Sequence, residues 1–405
     1  MDITPPTPAV LNVVDCTLRE GEQTAGVWFS VEEKLELVDA LAASGVRWLD
    51  AGMPAVSEDE RRFLREATGR TAAQIGASVR ALESEVQLAL DTGCDEIYVI
   101  CPVSTLHRQK RLGLDEDGLL RRIEAVVRAV VEGGRICNLV AEDASRAEPD
   151  ALLRALDTGL QAGADRLFLC DTVGCWTPTS TKAIFERVAA QLPGAAWGVH
   201  CHNDYGMATA NTVAAIEAGC AWPTATINGV GERAGNASLV EVSAAADQLL
   251  GCQTGLDFER FAELSSLVER LTGFVVPQHQ PMVGWNAFRH ESGIHVDGLL
   301  KDTATYESVT PGMLGREHRY VVGKHSGRAL LRRFAAEHGW PDDEETVSAV
   351  LEVIKSRRPD WARESVQRVR QAIDRYNHTC LGVAEGQLDS LFAELADRER
   401  KQGEL

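Results

Sequence analysis

Eight short apolar runs recur along the first 250 or so residues, and each is followed by a segment in which apolar residues repeat at helical spacing. The apolar runs are LNVVDCTL, VRWLDAGM, AQIGASV, EIYVICPVS, CNLVAED, RLFLCDTVG, AWGVHCHND and TATINGV. The predicted helices between them include 31–44, 82–93, 118–132, 150–163, 179–192 and 208–219. Strict alternation of strands and helices predicts parallel strands joined by right-handed crossovers.

Eight strand and helix units have the length of a closed (β/α)₈ barrel, whose typical size is about 250 residues. A doubly wound open sheet is the alternative architecture. No G-x-G-x-x-G motif follows the first strand, and polar residues stand at the C-terminal ends of many strands, as a barrel active site requires. We therefore predict an α/β fold with a TIM barrel over residues 11–257.

The alternation stops after residue 257. A predicted helix from about Asp257 to Thr272 leads into a segment rich in turns and polar residues. We expect residues 258–325 to form a linker helix and a subdomain. Residues 326–405 read as a small, mostly helical and charged C-terminal accessory region.

Charge and composition argue against some classes of binding partner. The formal net charge is −19, from 41 basic and 60 acidic residues, and this disfavours nucleic acid and anionic membrane surfaces. No apolar stretch reaches 18 residues, and the N-terminus lacks a basic segment followed by an apolar run, so we expect a cytoplasmic protein. The ten cysteines form no C-x-x-C pair and are read as free thiols.

Polar residues at three strand ends suggest a metal site. Strand 1 ends at Asp15, and strand 7 places His200 and His202 two residues apart, on the same side of the strand. Strands 1, 7 and 8 are neighbours in a closed barrel, and Asn236 after strand 8 offers a further oxygen. Two imidazoles and a carboxylate suit Zn²⁺, Mn²⁺ or Mg²⁺. Taken alone, each piece has a plainer reading, such as a helix cap or a polar strand end.

Five motifs give a more specific signal than any single residue. DCTLREGEQTAG, HCHNDYGMATANT, GVGERAGNASL, HESGIHVDGLLKD and GKHSGR occur in this order. In order and spacing they resemble the DRE-TIM metallolyase family, within it the homocitrate synthase and isopropylmalate synthase group, and most closely the homocitrate synthases that supply nitrogenase cofactor. The resemblance covers residues 11 to about 330. It implies a metal-dependent acyltransferase that condenses acetyl-CoA with a 2-oxo acid.

The resemblance also implies a metal centre. By this comparison Asp15, His200 and His202 bind a divalent ion (Mg²⁺, Mn²⁺ or Zn²⁺), with Asn236 at or beside it. The ion polarises the carbonyl group of the oxo acid, and Arg19 is a second positive group beside the carbonyl oxygen.

Substrate contacts follow from the same comparison. Glu20 and Gln23 are expected to orient the metal site or acetyl-CoA. Thr172 in CDTVG matches a position that hydrogen-bonds the carboxylate of the oxo acid, and Glu142 in AEDASR matches a glutamate close to the acetyl group.

Two further residues lie outside the barrel sequence, His295 in SGIHVDG and Tyr306 in ATYES. In relatives, the corresponding residues come from the accessory region of the second subunit and transfer protons at acetyl-CoA, a task that suits the near-neutral pKa of histidine. We therefore expect a homodimer whose active site is completed in trans. Small molecules, rather than nucleic acid or membranes, are the expected partners.

The sequence departs from lysine-pathway homocitrate synthases on strand 5. Where their pattern is R-x-S-x-E, this sequence has NLVAE, with Asn138 and Val140 in place of the arginine and the serine. Arg80 stands where those enzymes have a histidine, and it offers a bidentate partner for a distal anion. Its plainer reading is a solvated arginine at the start of a helix.

The leading prediction is a homocitrate synthase that uses acetyl-CoA and 2-oxoglutarate. Other oxo acids remain open, namely phosphonopyruvate (giving 2-phosphonomethylmalate), oxaloacetate, pyruvate and 2-oxoisovalerate. Two other classes are cleavage of the kind catalysed by hydroxymethylglutaryl-CoA lyase and a barrel that binds a metabolite without catalysis.

Overall fold

The computed structural model describes residues 7–356, 360–379, 388 and 390–394. These residues fall into two units. The first unit contains residues 7–24 and 28–284, and the second contains residues 25–27 and the described residues from 285 onward. Parts of the predicted accessory region 326–405, such as 380–387 and 395–405, lie outside the described residues.

Eight parallel strands form a closed barrel in the first unit. Each strand pairs with the next one along the chain, and the last pairs with the first, so no edge of the sheet is left open. The predicted TIM barrel is therefore confirmed, and the open sheet is excluded. The strands are β1 (Val14–Asp15), β2 (Trp48–Gly52), β3 (Gln74–Arg80), β4 (Glu96–Pro102), β5 (Ile136–Glu142), β6 (Arg166–Asp171), β7 (Trp197–Cys201) and β8 (Trp222–Ala225).

Helices connect the strands and follow the last one. They are α1 (Val31–Ala43), α2 (Glu58–Ala67), α3 (Glu83–Leu90), α4 (Thr105–His107), α5 (Glu116–Glu132), α6 (Pro149–Ala162), α7 (Pro178–Gln191), α8 (Ala208–Glu217), α9 (Leu239–Leu249) and α10 (Phe261–Thr272). A short π-helix, Arg108–Leu112, lies between α4 and α5. The predicted helices agree with these to within a few residues at each end.

Two elements differ from the sequence pattern. The prediction did not include α2, because this helix is mostly charged and its apolar stripe is limited to Phe63, Leu64 and Ala67. The ladder of β1 covers only Val14–Asp15 of the run LNVVDCTL. The chain leaves the sheet at Cys16, whose N–H still donates to the Ala225 carbonyl at 2.9 Å.

The start of α1 shows how the local sequence defines an element. Ser30 accepts a hydrogen bond from the Glu33 N–H at 3.2 Å, and its own N–H donates to Glu33 Oε2 at 2.8 Å. This reciprocal capping box satisfies two backbone donors at the helix start. The buried face of α1 consists of Val31, Lys34, Leu35, Leu37, Val38 and Leu41.

A buried ion pair lies inside the barrel at the N-terminal ends of the strands. Arg166 Nη1 donates to Glu96 Oε2 at 2.7 Å, and the guanidinium carbon lies 3.5 Å from the ring centre of Trp222. Asn138 and Tyr98 donate to the same glutamate oxygen at 3.1 Å. Asn138 stands where the related pattern has an arginine. Its side chain is hydrogen-bonded to Glu96 and Arg166, at the N-terminal ends of the strands.

The second unit contains two short parallel strands, β9 (Arg289–His290) and β10 (Arg319–Tyr320). Its α-helices are α11 (Gly293–Lys301), α12 (Arg328–His338), α13 (Glu344–Ser356) and α14 (Asp360–Thr379). The expected helical character of this region is confirmed over the described residues. Among them, no helix combines the length and apolar character that a membrane span requires.

Removal of Arg166 should leave Glu96 buried without its charge partner. We predict that Arg166→Met lowers the free energy of unfolding by about 3 kcal/mol, because an uncompensated buried carboxylate is strongly destabilising. Urea denaturation followed by circular dichroism measures this loss. An unchanged unfolding midpoint would contradict the assigned role of the ion pair.

Candidate active site

A cavity of about 350 Å³ lies at the C-terminal ends of the barrel strands. It is the end of a barrel at which side chains from several strands converge. Residues on or just after every one of the eight strands line it. Eight of the residues chosen from the sequence are among them, namely Arg19, Glu20, Gln23, Arg80, Glu142, Thr172, His200 and His202.

Two histidines and a glutamate lie close together in this cavity. His200 is in β7, His202 directly follows the strand, and Glu20 follows β1. His200 Nε2 and His202 Nε2 lie 3.2 Å apart, and Glu20 Oε1 lies 3.4 Å from His202 Nε2. Glu20 Oε2 lies 3.9 Å from His200 Nε2. Within the described part of the chain, these three residues form the one group of His, Cys, Asp or Glu side chains whose donor atoms could hold a metal ion.

The structure does not place Asp15 in this group, in contrast to the sequence prediction. Both carboxylate oxygens of Asp15 accept hydrogen bonds from Thr17, from its N–H at 2.9 Å and from its hydroxyl at 2.7 Å. After β1 the chain turns, and the Glu20 N–H donates to the Cys16 carbonyl at 2.7 Å. This turn brings Glu20, rather than the last residue of the strand, to the histidines.

Both imidazoles are held in the neutral form that binds metals. Burial, with His202 and Arg19 nearby, lowers the pKa of His200 well below its usual value. Burial, together with Arg233 and Arg19, lowers the pKa of His202 to about 4. His200 Nδ1 lies 2.8 Å from the Thr224 hydroxyl, an outer contact that orients the ring.

Asn236 lies beside His200. Its Nδ2 lies 3.2 Å from His200 Nε2, while its Oδ1 is buried without a hydrogen-bond partner. A Cβ atom at Gly231 would lie 1.8 Å from this oxygen, so a glycine is required for the amide to fit. An unpartnered oxygen beside two neutral imidazoles and a carboxylate fits a divalent cation.

Arg19 lies between two carboxylates beside the histidines. Its Nε donates to Asp50 Oδ2 at 2.7 Å, and its Nη1 contacts Glu20. Asp50 also accepts a hydrogen bond from the Ser78 hydroxyl at 2.8 Å. Asp50 is not among the residues predicted from the sequence, although its position near the end of the second apolar run, in WLDAGM, is the same kind of signal as the other strand ends.

Thr172, just after β6, and Glu142, at the end of β5, also line the cavity. The Thr172 hydroxyl accepts a hydrogen bond from the Asp143 N–H at 2.8 Å, so its own proton is available to another group. Glu142 Oε1 accepts from Arg111, which lies on the π-helix, and Glu142 Oε2 is buried without a partner.

Two other predicted residues line the outer part of the cavity. Arg80 Nε donates to Glu85 Oε1 at 2.6 Å, and the Arg80 N–H donates to Glu85 Oε2 at 2.8 Å. The Arg80 side chain is still 64% exposed. Gln23 Nε2 lies 3.6 Å from Met53 Sδ.

His295 and Tyr306 belong to the second unit and lie against each other. Their rings stack with centres 4.3 Å apart. The same unit contains a second pair of rings, His290 and His318. These two side chains are hydrogen-bonded to each other, with His290 Nε2 3.1 Å from His318 Nδ1. Burial and the neighbouring charges of His318 and His295 lower the pKa of His290.

Family models match most of the chain. The HMGL-like model matches residues 10–268, and the homocitrate synthase post-HMGL domain-like model matches residues 282–359. The chain is 41% identical over 353 residues to a putative (R)-citramalate synthase of Methanopyrus kandleri, covering 86% of this chain and 69% of the relative. It is 38% identical over 372 residues to a probable 2-isopropylmalate synthase of Ignicoccus hospitalis, covering 91% and 92%.

Solved structures share the barrel fold. A hydroxymethylglutaryl-CoA lyase of Bacillus subtilis matches with a TM-score of 0.61 at 18% identity, covering 67% of this chain and 97% of that one. The corresponding enzyme of Pseudomonas aeruginosa matches with a TM-score of 0.60 at 21% identity, covering 67% and 95%. At these identities the likeness supports the fold alone.

Asp15 and Glu20 are alternative candidates for the carboxylate ligand, and a substitution at each of them tests the metal site directly. We predict that Glu20→Gln weakens Mn²⁺ binding by more than about 100-fold, beyond the range seen for outer-shell partners. Asp15→Asn should keep the affinity, because Asp15 contacts Thr17 rather than the cation site. Electron paramagnetic resonance of free Mn²⁺ measures both. Loss of binding in Asp15→Asn alone would restore the original assignment.

Proposed function

The chain belongs to the HMGL-like family, in the group of 2-oxo-acid-condensing synthases, and from this premise we propose that it condenses acetyl-CoA with a 2-oxo acid. The convergence of Glu20, His200 and His202 beside Arg19 in one cavity carries the proposal. A lyase acting in the cleavage direction and a barrel that binds without catalysis are the competing classes. The relatives named as synthases argue against both.

The proposed ligands of a divalent cation are Glu20, His200, His202 and Asn236. Their support is the neutral state of the imidazoles and the unpartnered Asn236 oxygen. When bound, the cation supplies a Lewis acid for the carbonyl oxygen of the oxo acid. The identity of the metal stays a prediction among Mg²⁺, Mn²⁺ and Zn²⁺.

The other residues of the cavity have proposed roles that their contacts support. Arg19, held by Asp50, donates a hydrogen bond to the oxygen on which negative charge develops. The free proton of the Thr172 hydroxyl donates to the carboxylate of the oxo acid. Glu142, with one unpartnered oxygen, faces the acetyl group.

The proposed reaction has two stages. The methyl carbon of acetyl-CoA loses a proton and bonds to the carbonyl carbon of the oxo acid, whose oxygen becomes the hydroxyl group of the product. Water then cleaves the thioester and gives a carboxylate and the CoA thiol. His295 and Tyr306, supplied by a second copy of the chain, are the proposed groups for the first proton transfer. The homodimer and the cytoplasmic location likewise stay predictions.

We propose 2-oxoglutarate as the oxo acid and homocitrate as the product. Arg80 is the proposed partner of the distal carboxylate, since its guanidinium is mostly exposed at the cavity and Glu85 raises its pKa, which keeps it charged. An anionic substrate would compete with Glu85 for this group.

A smaller or branched oxo acid, pyruvate or 2-oxoisovalerate, is the second candidate. The observation that favours it is the apolar inner wall, to which β4, β5 and β6 contribute Ile100, Val140 and Phe168. Branched or short aliphatic groups pack against such a wall without a charge partner.

A thiol-release assay with acetyl-CoA and Mg²⁺ or Mn²⁺ separates these substrates. We expect turnover to be highest with 2-oxoglutarate in a panel that also contains oxaloacetate, phosphonopyruvate, pyruvate and 2-oxoisovalerate. Arg80→Gln should then raise the KM for 2-oxoglutarate and leave the KM for pyruvate unchanged. Highest turnover with a monoanionic acid would transfer the proposal to the second candidate. No thiol release with any acid would contradict the synthase reaction.

Arg19 provides a test of charge stabilisation. We predict that Arg19→Ala lowers kcat by at least about 100-fold, because a hydrogen-bond donor aimed at developing negative charge contributes this much. Steady-state kinetics with the preferred oxo acid measure the effect. Unchanged kcat would remove Arg19 from the mechanism.

A further inference from the structure

Lys34 is a lysine that projects into the interior of the first unit. It lies on the buried face of α1, and only 2% of its side chain is exposed. Its ammonium group donates to Glu22 Oε2 and to Glu60 Oε2, each at 2.5 Å. Because a buried ammonium group has lost its hydration, its carboxylate partners are needed in fixed positions. The place of Lys34 in the fold therefore constrains both glutamates.

Each of these glutamates holds a backbone N–H of a different connecting segment. Glu22 Oε1 accepts from the Phe29 N–H at 3.1 Å, and Glu60 Oε1 accepts from the Met53 N–H at 3.1 Å. A Cβ atom at position 52 would lie 1.9 Å from Glu60 Oε1, so Gly52 is required for this approach. Lys34 therefore joins the segment after β1 to the segment after β2.

The same two segments carry groups of the candidate active site. Glu20 precedes Glu22 by two residues, and the Gln23 N–H donates to the Glu20 carbonyl at 3.1 Å. Gln23 Nε2 in turn contacts Met53 Sδ at 3.6 Å. A displacement of Glu22 would consequently be transmitted to Glu20 through a single turn of backbone.

We propose that Lys34 is a positioning residue that, through Glu22 and Glu60, fixes the turn bearing Glu20 and so sets the affinity of the cation site. The proposal rests on the proposed function, because it takes Glu20 as a ligand of the cation. Lys34 itself contacts neither the cation site nor the cavity. Its effect is indirect, like that of other outer residues that orient metal ligands.

The experiment compares two buried cations by Mn²⁺ binding, measured by electron paramagnetic resonance. Lys34→Met should raise the dissociation constant about tenfold, the lower end of the range for residues that orient ligands. Arg166→Met, which breaks the ion pair at the opposite end of the barrel, is the matched control. It should lose stability yet bind Mn²⁺ like the wild type. Lys34→Arg, which retains the charge, should restore most of the lost affinity.

Two outcomes would overturn the proposal for Lys34. One is wild-type affinity in folded Lys34→Met, and the other is an equal loss in Arg166→Met, which would indicate a general effect of destabilisation. If Lys34→Met does not fold, Glu60→Gln decides: its amide oxygen still accepts from Met53, while Lys34 loses one counter-charge. Weaker Mn²⁺ binding supports the proposal, and unchanged binding overturns it.

A failure of the metal site itself would be recognised separately. Wild-type protein that binds no Mn²⁺ would contradict the proposed ligands and, with them, the role of Lys34. Wild-type protein that binds Mn²⁺ while Lys34→Met binds equally well would contradict only the latter.

Discussion

The pairing of β1 with β8 is the constraint on which the rest of the site depends. β1 contributes only two residues to the sheet, Val14 and Asp15, yet it joins β2 on one side and β8 on the other and closes the barrel. Closure places the turn after β1 close to the end of β7, and this juxtaposition brings Glu20 to His200 and His202. An open sheet with the strands in the same order would separate these groups, because strands 1 and 8 would then lie at its two edges.

Burial determines the chemistry of the groups that closure brings together. Removal from water favours the neutral imidazoles, whose lone pairs can bind a cation, and makes each charged group dependent on a partner. Arg19 lies between Asp50 and Glu20, and Lys34 lies between Glu22 and Glu60. Arg19 connects the segment after β1 to β2 itself, and Lys34 connects the same segment to the residues after β2. The positions of the side chains in the cavity therefore depend on a small set of buried ion pairs.

Much of this arrangement follows from the sequence. Alternating strands and helices predicted the barrel, and the two-residue spacing of His200 and His202 predicted that both rings share one side of a strand. The structure differs from the prediction at Asp15, because strand-end reasoning selects the last residue of the strand, whereas the backbone turns after Cys16 and brings Glu20 to the histidines. Lys34 had no distinguishing signal, since a lysine near a helix start normally faces solvent. His295 and Tyr306 lie in the second unit, and their contribution to the active site of a second copy stays a prediction.

The proposed reaction forms a carbon–carbon bond between an acetyl group and a 2-oxo acid. The most direct measurement is incubation with acetyl-CoA labelled at the methyl carbon, a divalent cation and a mixture of 2-oxo acids, followed by mass spectrometry of the products. We predict one labelled hydroxy acid that contains the carbon skeleton of its oxo acid, together with free CoA. Label recovered only as acetate or unreacted acetyl-CoA would contradict it.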